Sequence, residues 1–267
     1  MRKIIIIATI QVVFILSCKE NPKNKQISFT NDSTKNSELT SVPIDTLIFP
    51  TENDGIAKVI QTGNFHEDEI KKEYEKERWV GLFTKDQHYY LKETSIKIKK
   101  IKDQIVDEDN QMTGWNVSTT IKDTALVLIS GIDNLLSKNV VSIIPNENEL
   151  FPNKSINIKW GDTEYKLTAT GQIKQMGENW EEIQNYKVFL IANKNGSEIK
   201  QLICAKPVNE SNVYIYWIGD MDGDNQLDLI LDTSTQENVT TISVYLSSKS
   251  GKGELVKFIG LHTSVGC

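Results

Sequence analysis

Hydrophobic and polar positions change their pattern several times along this chain. Residues 4–16 form an almost unbroken apolar run, and residues 19–45, "KENPKNKQISFTNDSTKNSELTSVPID", show no apolar period at all. Residues 64–78, "NFHEDEIKKEYEKER", set Glu67 four before Lys71 and Asp68 four before Lys72. That order favours helical ion pairs and leaves one thin apolar stripe of Phe65 or His66, Ile70 and Tyr74, the pattern of a solvated helix lying on a sheet. From residue 79 onward the period shortens. Segments rich in β-branched and aromatic residues alternate with turn chemistry and read as strands: 79–83, 88–101, 115–121, 125–130, 140–145, 155–160, 165–171, 186–192, 199–205, 212–219, 227–231, 240–248 and 254–260. The pattern predicts a mainly β (α+β) fold, built of antiparallel sheets or a sandwich with one short solvent-exposed helix.

Two local features refine the strands. "KNGS" at 194–197 and "SGKGE" at 250–254 carry glycine, which accepts positive φ at little cost, so both suit hairpins. "TSIKIKKIK" alternates Ile96 and Ile98 with Lys97 and Lys99. Lysines along one face of a strand guard an edge against pairing with other chains.

The amino-terminal run, with Arg2 and Lys3 before it, is shorter than the roughly 20 residues a membrane-spanning helix requires, and it has the layout of an export signal. The "ILSC" ending at Cys18 resembles the lipobox of bacterial lipoproteins; Ile15, Ser17 and Cys18 fit it and Leu16 departs from it. The resemblance implies cleavage after residue 17 and lipidation of Cys18, with the protein held to the outer membrane, periplasmic or surface-exposed. The "KE" that follows is similar to the start of surface-exported lipoproteins of the Bacteroidetes. The organisation expected is therefore a signal peptide at 1–17, a flexible tether at 18–45 and a mainly β domain at 46–267, either single or split into subdomains of about 46–131 and 132–267. A coil of that length has a root-mean-square span of about 30 Å.

Charge and cysteines fit this placement. The chain carries a net charge of -6, which becomes -8 when Arg2 and Lys3 leave with the signal, so it repels nucleic-acid backbones and anionic lipid alike. Attachment to the membrane would then be covalent. Lipidation of Cys18 leaves Cys204 and Cys267, an even pair available for a disulfide in an oxidising compartment.

One stretch carries candidate chemistry. "GDMDGDNQLDLIL", 219–231, crowds Asp220, Asp222, Asp224 and Asp228 between two predicted strands. It is not an EF-hand, because Asn225 and Leu231 stand where that loop needs glycine and a bidentate glutamate, and its flanks are strands. It resembles the calcium loop of FG-GAP and VCBS repeats, D-x-[DN]-x-D-G-x-x-D-L, with Asn225 in place of the glycine. The resemblance implies a structural calcium held by the side chains of Asp220, Asp222, Asp224 and Asp228 and the backbone carbonyl of Gln226. A solvated acidic hairpin tip is the alternative. No second full copy follows, so a propeller is not expected.

Other constellations are absent: there is no G-x-S-x-G, P-loop, G-x-G-x-x-G, H-E-x-x-H or C-x-x-C. His66, His88 and His262 show no metal-pair spacing and read as surface or packing residues. Glu181 and Glu182, flanked by Trp180 and Tyr186, suit either a sugar platform or a loop packed on the core. The sequence points to a lipid-anchored envelope protein that acts as a binding or interaction module toward a protein or glycan partner, with no catalytic residue assigned. An envelope hydrolase working through carboxylates and an inhibitor or immunity-type lipoprotein are the competing readings.

Overall fold

A computed structural model describes residues 49–266 except 144, 146, 179, 180 and 195. Cys18, the tether, Trp180 and Cys267 therefore lie outside the described residues. The described residues fall in one compact unit. Its amino-terminal half contains β1 (Lys58–Ile60), β2 (Gly63–Phe65), β3 (Trp79–Lys85), β4 (His88–Thr94), β5 (Ile96–Ile101), β6 (Gly114–Thr119), β7 (Thr124–Ser130) and β8 (Lys138–Ile143). Then come β9 (Glu149–Leu150), β10 (Ser155–Trp160), β11 (Thr163–Gln175), β12 (Glu181–Lys194) and β13 (Ser197–Asn209). The chain finishes with β14 (Val213–Asp220), β15 (Asp228–Asp232), β16 (Val239–Leu246) and β17 (Lys257–Val265). The architecture is mainly β, as the pattern predicts, and the strand pairings are antiparallel.

The largest sheet runs β1-β7-β3-β4-β8-β14-β15-β16-β17, with β9 added beside β14. It curls until its ends approach: Ile56 and Ala57 N–H, just before β1, donate to the Ile259 carbonyl on β17 at 2.9 and 2.8 Å. Gly260 permits that approach, since a Cβ there would lie 2.6 Å from the Ala57 carbonyl oxygen. Every strand along this path sends a side chain into one cluster that includes Val59, Leu82, Leu91, Val127, Val140, Trp217, Ile230, Val244 and Ile259, so the sheet is a nearly closed barrel with a filled interior. The path also crosses residue 131, because β8 pairs with both β4 and β14.

Two smaller sheets cover different arcs of the outside. The sheet β10-β11-β12-β13 packs on β14, β15 and β16, where Leu229 and Leu231 point outward while Ile230 points in. The sheet β2-β6-β5 packs on β1, β3 and β7 through Trp79, Phe83 and Leu128. Barrel strands sandwiched in this way are apolar on both faces, which is why "WVGLF" and "ALVLIS" read as continuous apolar runs rather than as alternations.

The helix predicted over 64–78 is replaced by strand β2, a turn and one 3-10 turn, Lys72–Lys76. Tertiary demands override the i,i+4 pattern. Phe65 pairs with Trp115 in the sheet and Ile70 is buried in the third core. The expected Glu67–Lys71 and Asp68–Lys72 pairs are not among the ion pairs of the described residues: Lys72 pairs with Glu75 at 2.7 Å and Glu67 lies 3.5 Å from Lys100. The neighbouring carboxylates also accept backbone protons, Glu69 from His66 and Val265 N–H at 2.9 and 2.6 Å and Glu75 from Ile98 N–H at 2.6 Å. Ile98 lies on β5, the free edge of its sheet, so Glu75 and Lys72, which bonds the Ile98 carbonyl, occupy groups that a further strand would use. Lys97 and Lys99 stand exposed on that same edge strand.

Candidate metal centre

The aspartate loop joins β14 to β15, starting where Gly219 pairs with Asp228. Asp220 organises its backbone. The Asp220 carboxylate accepts N–H bonds from Gly223 (2.5 Å), Asp224 (3.2 Å) and Asn225 (3.0 Å), wrapping the chain around one side chain. The wrap needs two left-handed residues, supplied by Gly223 (φ 89) and Asn225 (φ 62). Asparagine thus serves where the repeat pattern has glycine, because its short polar side chain tolerates that conformation.

Neighbouring elements hold the loop from outside. Trp160 Nε1, at the end of β10, donates to the Asn225 carbonyl at 3.2 Å, and the Tyr165 hydroxyl on β11 bonds the Leu227 backbone. After β16 the 3-10 turn Ser247–Lys249 brings two hydroxyls to the carboxylates. Ser248 Oγ bonds Asp222, and Ser247 Oγ lies 2.7 Å from Asp228 Oδ1 and 3.0 Å from Asp224 Oδ2. One hydroxyl proton therefore faces two carboxylates. The sequence pattern treats Ser247 and Ser248 as the tail of a strand, and nothing local in it marks them, or Trp160 and Tyr165, as part of this centre.

Asp220, Asp222 and Asp224 each bring a carboxylate oxygen within 4.8 Å of the other two. Oxygens bound to one ion at 2.3–2.6 Å can be at most about 5 Å apart, so this trio fits a single hard cation. No ion pair among the described residues reaches them. Burial, opposed by the Ser248 hydrogen bond and reinforced by the Asp224 and Asp220 charges, raises the Asp222 carboxyl above the ordinary carboxylate range. Asp228 stands apart from the trio. It is fully buried, with Oδ2 accepting from Met221 N–H at 2.6 Å and Oδ1 from Ser247 N–H at 2.8 Å. Burial first, and the Asp222 charge second, push its carboxyl up to about 7 against those hydrogen bonds. Gln226 donates its backbone N–H and side-chain amide to Asp224, at 2.8 and 3.1 Å.

The remaining candidates fall elsewhere. Cys204 is buried in the core under the four-stranded sheet, and burial pushes its thiol up to about 12. Its expected partner Cys267 is not described. Tyr186 is fully buried, donating to the Leu150 carbonyl (2.6 Å) and accepting from Val213 N–H (3.0 Å), so it braces the core instead of presenting a platform. Among the histidines, His88 is exposed, His262 is buried edge-on against Phe65 at 4.9 Å, and His66 bonds Asp103 through Nδ1. That last pair joins residues 37 apart in sequence and left no signal in it. Among the described residues no helix is long and apolar enough to cross a membrane. Compared with family models, curated proteins and solved structures, the chain matches none.

Proposed function

We propose that this protein is a lipid-anchored component of the bacterial envelope, a non-catalytic binding module whose β14–β15 loop holds one structural calcium ion. The convergence of the Asp220, Asp222 and Asp224 carboxylates, none of them in an ion pair among the described residues although the Lys138 ammonium packs against Gly223 of the same loop, carries the calcium reading. A divalent ion would satisfy the charges that Ser247 and Ser248, with one proton each, leave unbalanced. Water and backbone oxygens would complete a coordination of six to eight. Asp228 then has a supporting role: it ties the start of β15 to the loop and to the Ser247 turn, fixing the geometry that the three ligands need. The site lies where the barrel meets the four-stranded sheet, so the ion would clip structure together. The lipobox at Cys18 and the tether supply the envelope part of this reading, and the acidic surface sets anionic lipid and nucleic acid aside as partners.

The test is thermal unfolding of the unit beginning at Asp45, with excess Ca²⁺ and with EDTA. A ligand at a hundredfold excess over its Kd stabilises the native state by about 2.7 kcal/mol, or roughly 5–10 °C for a domain of this size. The gain should vanish in Asp222→Ala. Melting that is indifferent to both changes removes the calcium clip. In cells, Cys18→Ser should release the chain from the membrane fraction; retention there removes the lipid anchor.

A further inference from the structure

A groove built from both ends of the described chain bears on what this module binds. Its walls are the Glu52–Asp54 turn, the turn after β2, the loop from β5 to β6 and the end of β17, and its volume is about 630 Å³, within the range of ligand sites. Six carboxylates line it (Glu52, Glu67, Asp68, Glu69, Asp103 and Asp107), and no lysine or arginine does. Two lysines approach from outside the lining: Lys100 lies 3.5 Å from Glu67, and the Lys102 charge acts on Asp107. A concave surface of mostly one charge sign, here with His66 paired to Asp103 as the one basic side chain in the lining, focuses its field and concentrates the opposite charge.

The groove is also apolar in an unusual way. Ile105, Val106 and Val265 line it while 62%, 63% and 45% exposed. Three aliphatic side chains left in water beside six carboxylates match a ligand that is both cationic and aliphatic, as the stems and heads of lysine and arginine are.

The charges are held in place before any ligand arrives. Asp103 accepts from Ile105 N–H at 3.0 Å, and Asp107 accepts from Asp103 and Thr113 N–H at 2.7 and 2.8 Å. Glu69 pins His66 to β17, and the His66 imidazole is fixed on Asp103. The carboxylates do not gather on a point: among the described residues only Asp220, Asp222 and Asp224 converge closely enough for an ion. Charge spread along a groove suits an extended polycation rather than a single metal ion.

We propose that this groove docks a lysine- or arginine-rich peptide segment of a partner protein, the aliphatic stems lying on Ile105, Val106 and Val265 and the cationic heads meeting the carboxylates. The inference rests on the binding role proposed above and is independent of the calcium clip, whose failure in melting experiments would leave it standing.

Fluorescence anisotropy on the unit from Asp45 onward, with labelled hexa-arginine and hexa-glutamate at low and physiological salt, tests it. Hexa-arginine should bind and hexa-glutamate should not. Glu67→Gln with Asp68→Asn should weaken binding about tenfold, a size suited to two nearby charges, while Glu210→Gln with Glu237→Gln, in a separate acidic cavity, should change it less than about twofold. Val106→Ser should weaken it about threefold at both salt concentrations, the size of a partly lost apolar contact. Equal effects of the two charge pairs, an unaffected Val106→Ser, or no binding would overturn the proposal. Should the peptide fail here while the tethered protein still captures a partner through another surface, the binding role would survive and this groove would not.

Discussion

His262 is 3% exposed on β17, and neither ring nitrogen has a hydrogen-bond partner among the described residues. The Glu69 backbone lies close enough to favour the charged imidazole somewhat, but burial dominates and pushes its pKa down to about 4 from 6.5. Between these values the unfolded chain binds the proton and the folded chain does not, so stability falls as pH drops below about 6.5 and the loss is complete below about 4. A separation of about 2.5 in pKa, at about 1.4 kcal/mol for each, amounts to about 3 kcal/mol. Urea unfolding from pH 7.5 to pH 4 should therefore show the parent losing about 3 kcal/mol more than His262→Leu, which keeps an apolar group against Phe65. Asp228, whose carboxyl is raised, contributes with the opposite sign, but equally in both proteins, so the difference between the curves isolates His262. Parallel curves would refute the reasoning.

Four other measurements follow from the packing. Gly260→Ala places a methyl 2.6 Å from the Ala57 carbonyl oxygen and should cost roughly 1–3 kcal/mol in denaturant unfolding by wedging the barrel seam; an unchanged midpoint would mean the seam is slack. Glu75→Ala uncovers the Ile98 N–H on the β5 edge and should raise light scattering during refolding far more than it lowers the melting temperature. Asp103 raises the His66 pKa and is itself lowered by it, so the pair's contribution is present below the unfolded histidine value near 6.5, fades as pH rises through the folded one, and is also lost in acid as Asp103 protonates. The stability gap between the parent and Asp103→Asn should accordingly be widest near pH 5 and narrow toward pH 8.5, and a gap independent of pH would discard the ion pair. The Cys204 thiol, held up to about 12 by burial, should resist a thiol reagent in the native protein at pH 8 and react on denaturation.

The strands from residue 79 onward were legible because apolar β-branched runs and turn residues mark them locally, and their predicted and observed bounds differ by a few residues at the ends. One predicted strand, 88–101, is two: Ser95 separates β4, in the barrel, from β5, in an outer sheet. The short strands β1, β2 and β9 escaped notice, since three residues or fewer carry no period. The helix over 64–78 misled for a related reason. Its charge spacing is genuine, but Glu69 and Glu75 find backbone donors on β17 and β5, which are distant in sequence.

The sequence by itself determined the mainly β class, most of the strands, and the aspartate spacing that folds a loop around Asp220, because each of these depends on neighbours within about ten residues. Only the tertiary structure decided the rest. The sheet closes because β17 returns to the segment before β1; Ser247 and Ser248 reach the aspartates because β16 ends beside the loop; and His66 meets Asp103 because β2 and β5 flank β6. Chain crossings set these contacts, and a one-dimensional pattern of polar and apolar residues records which faces are buried but not which strand will cover them.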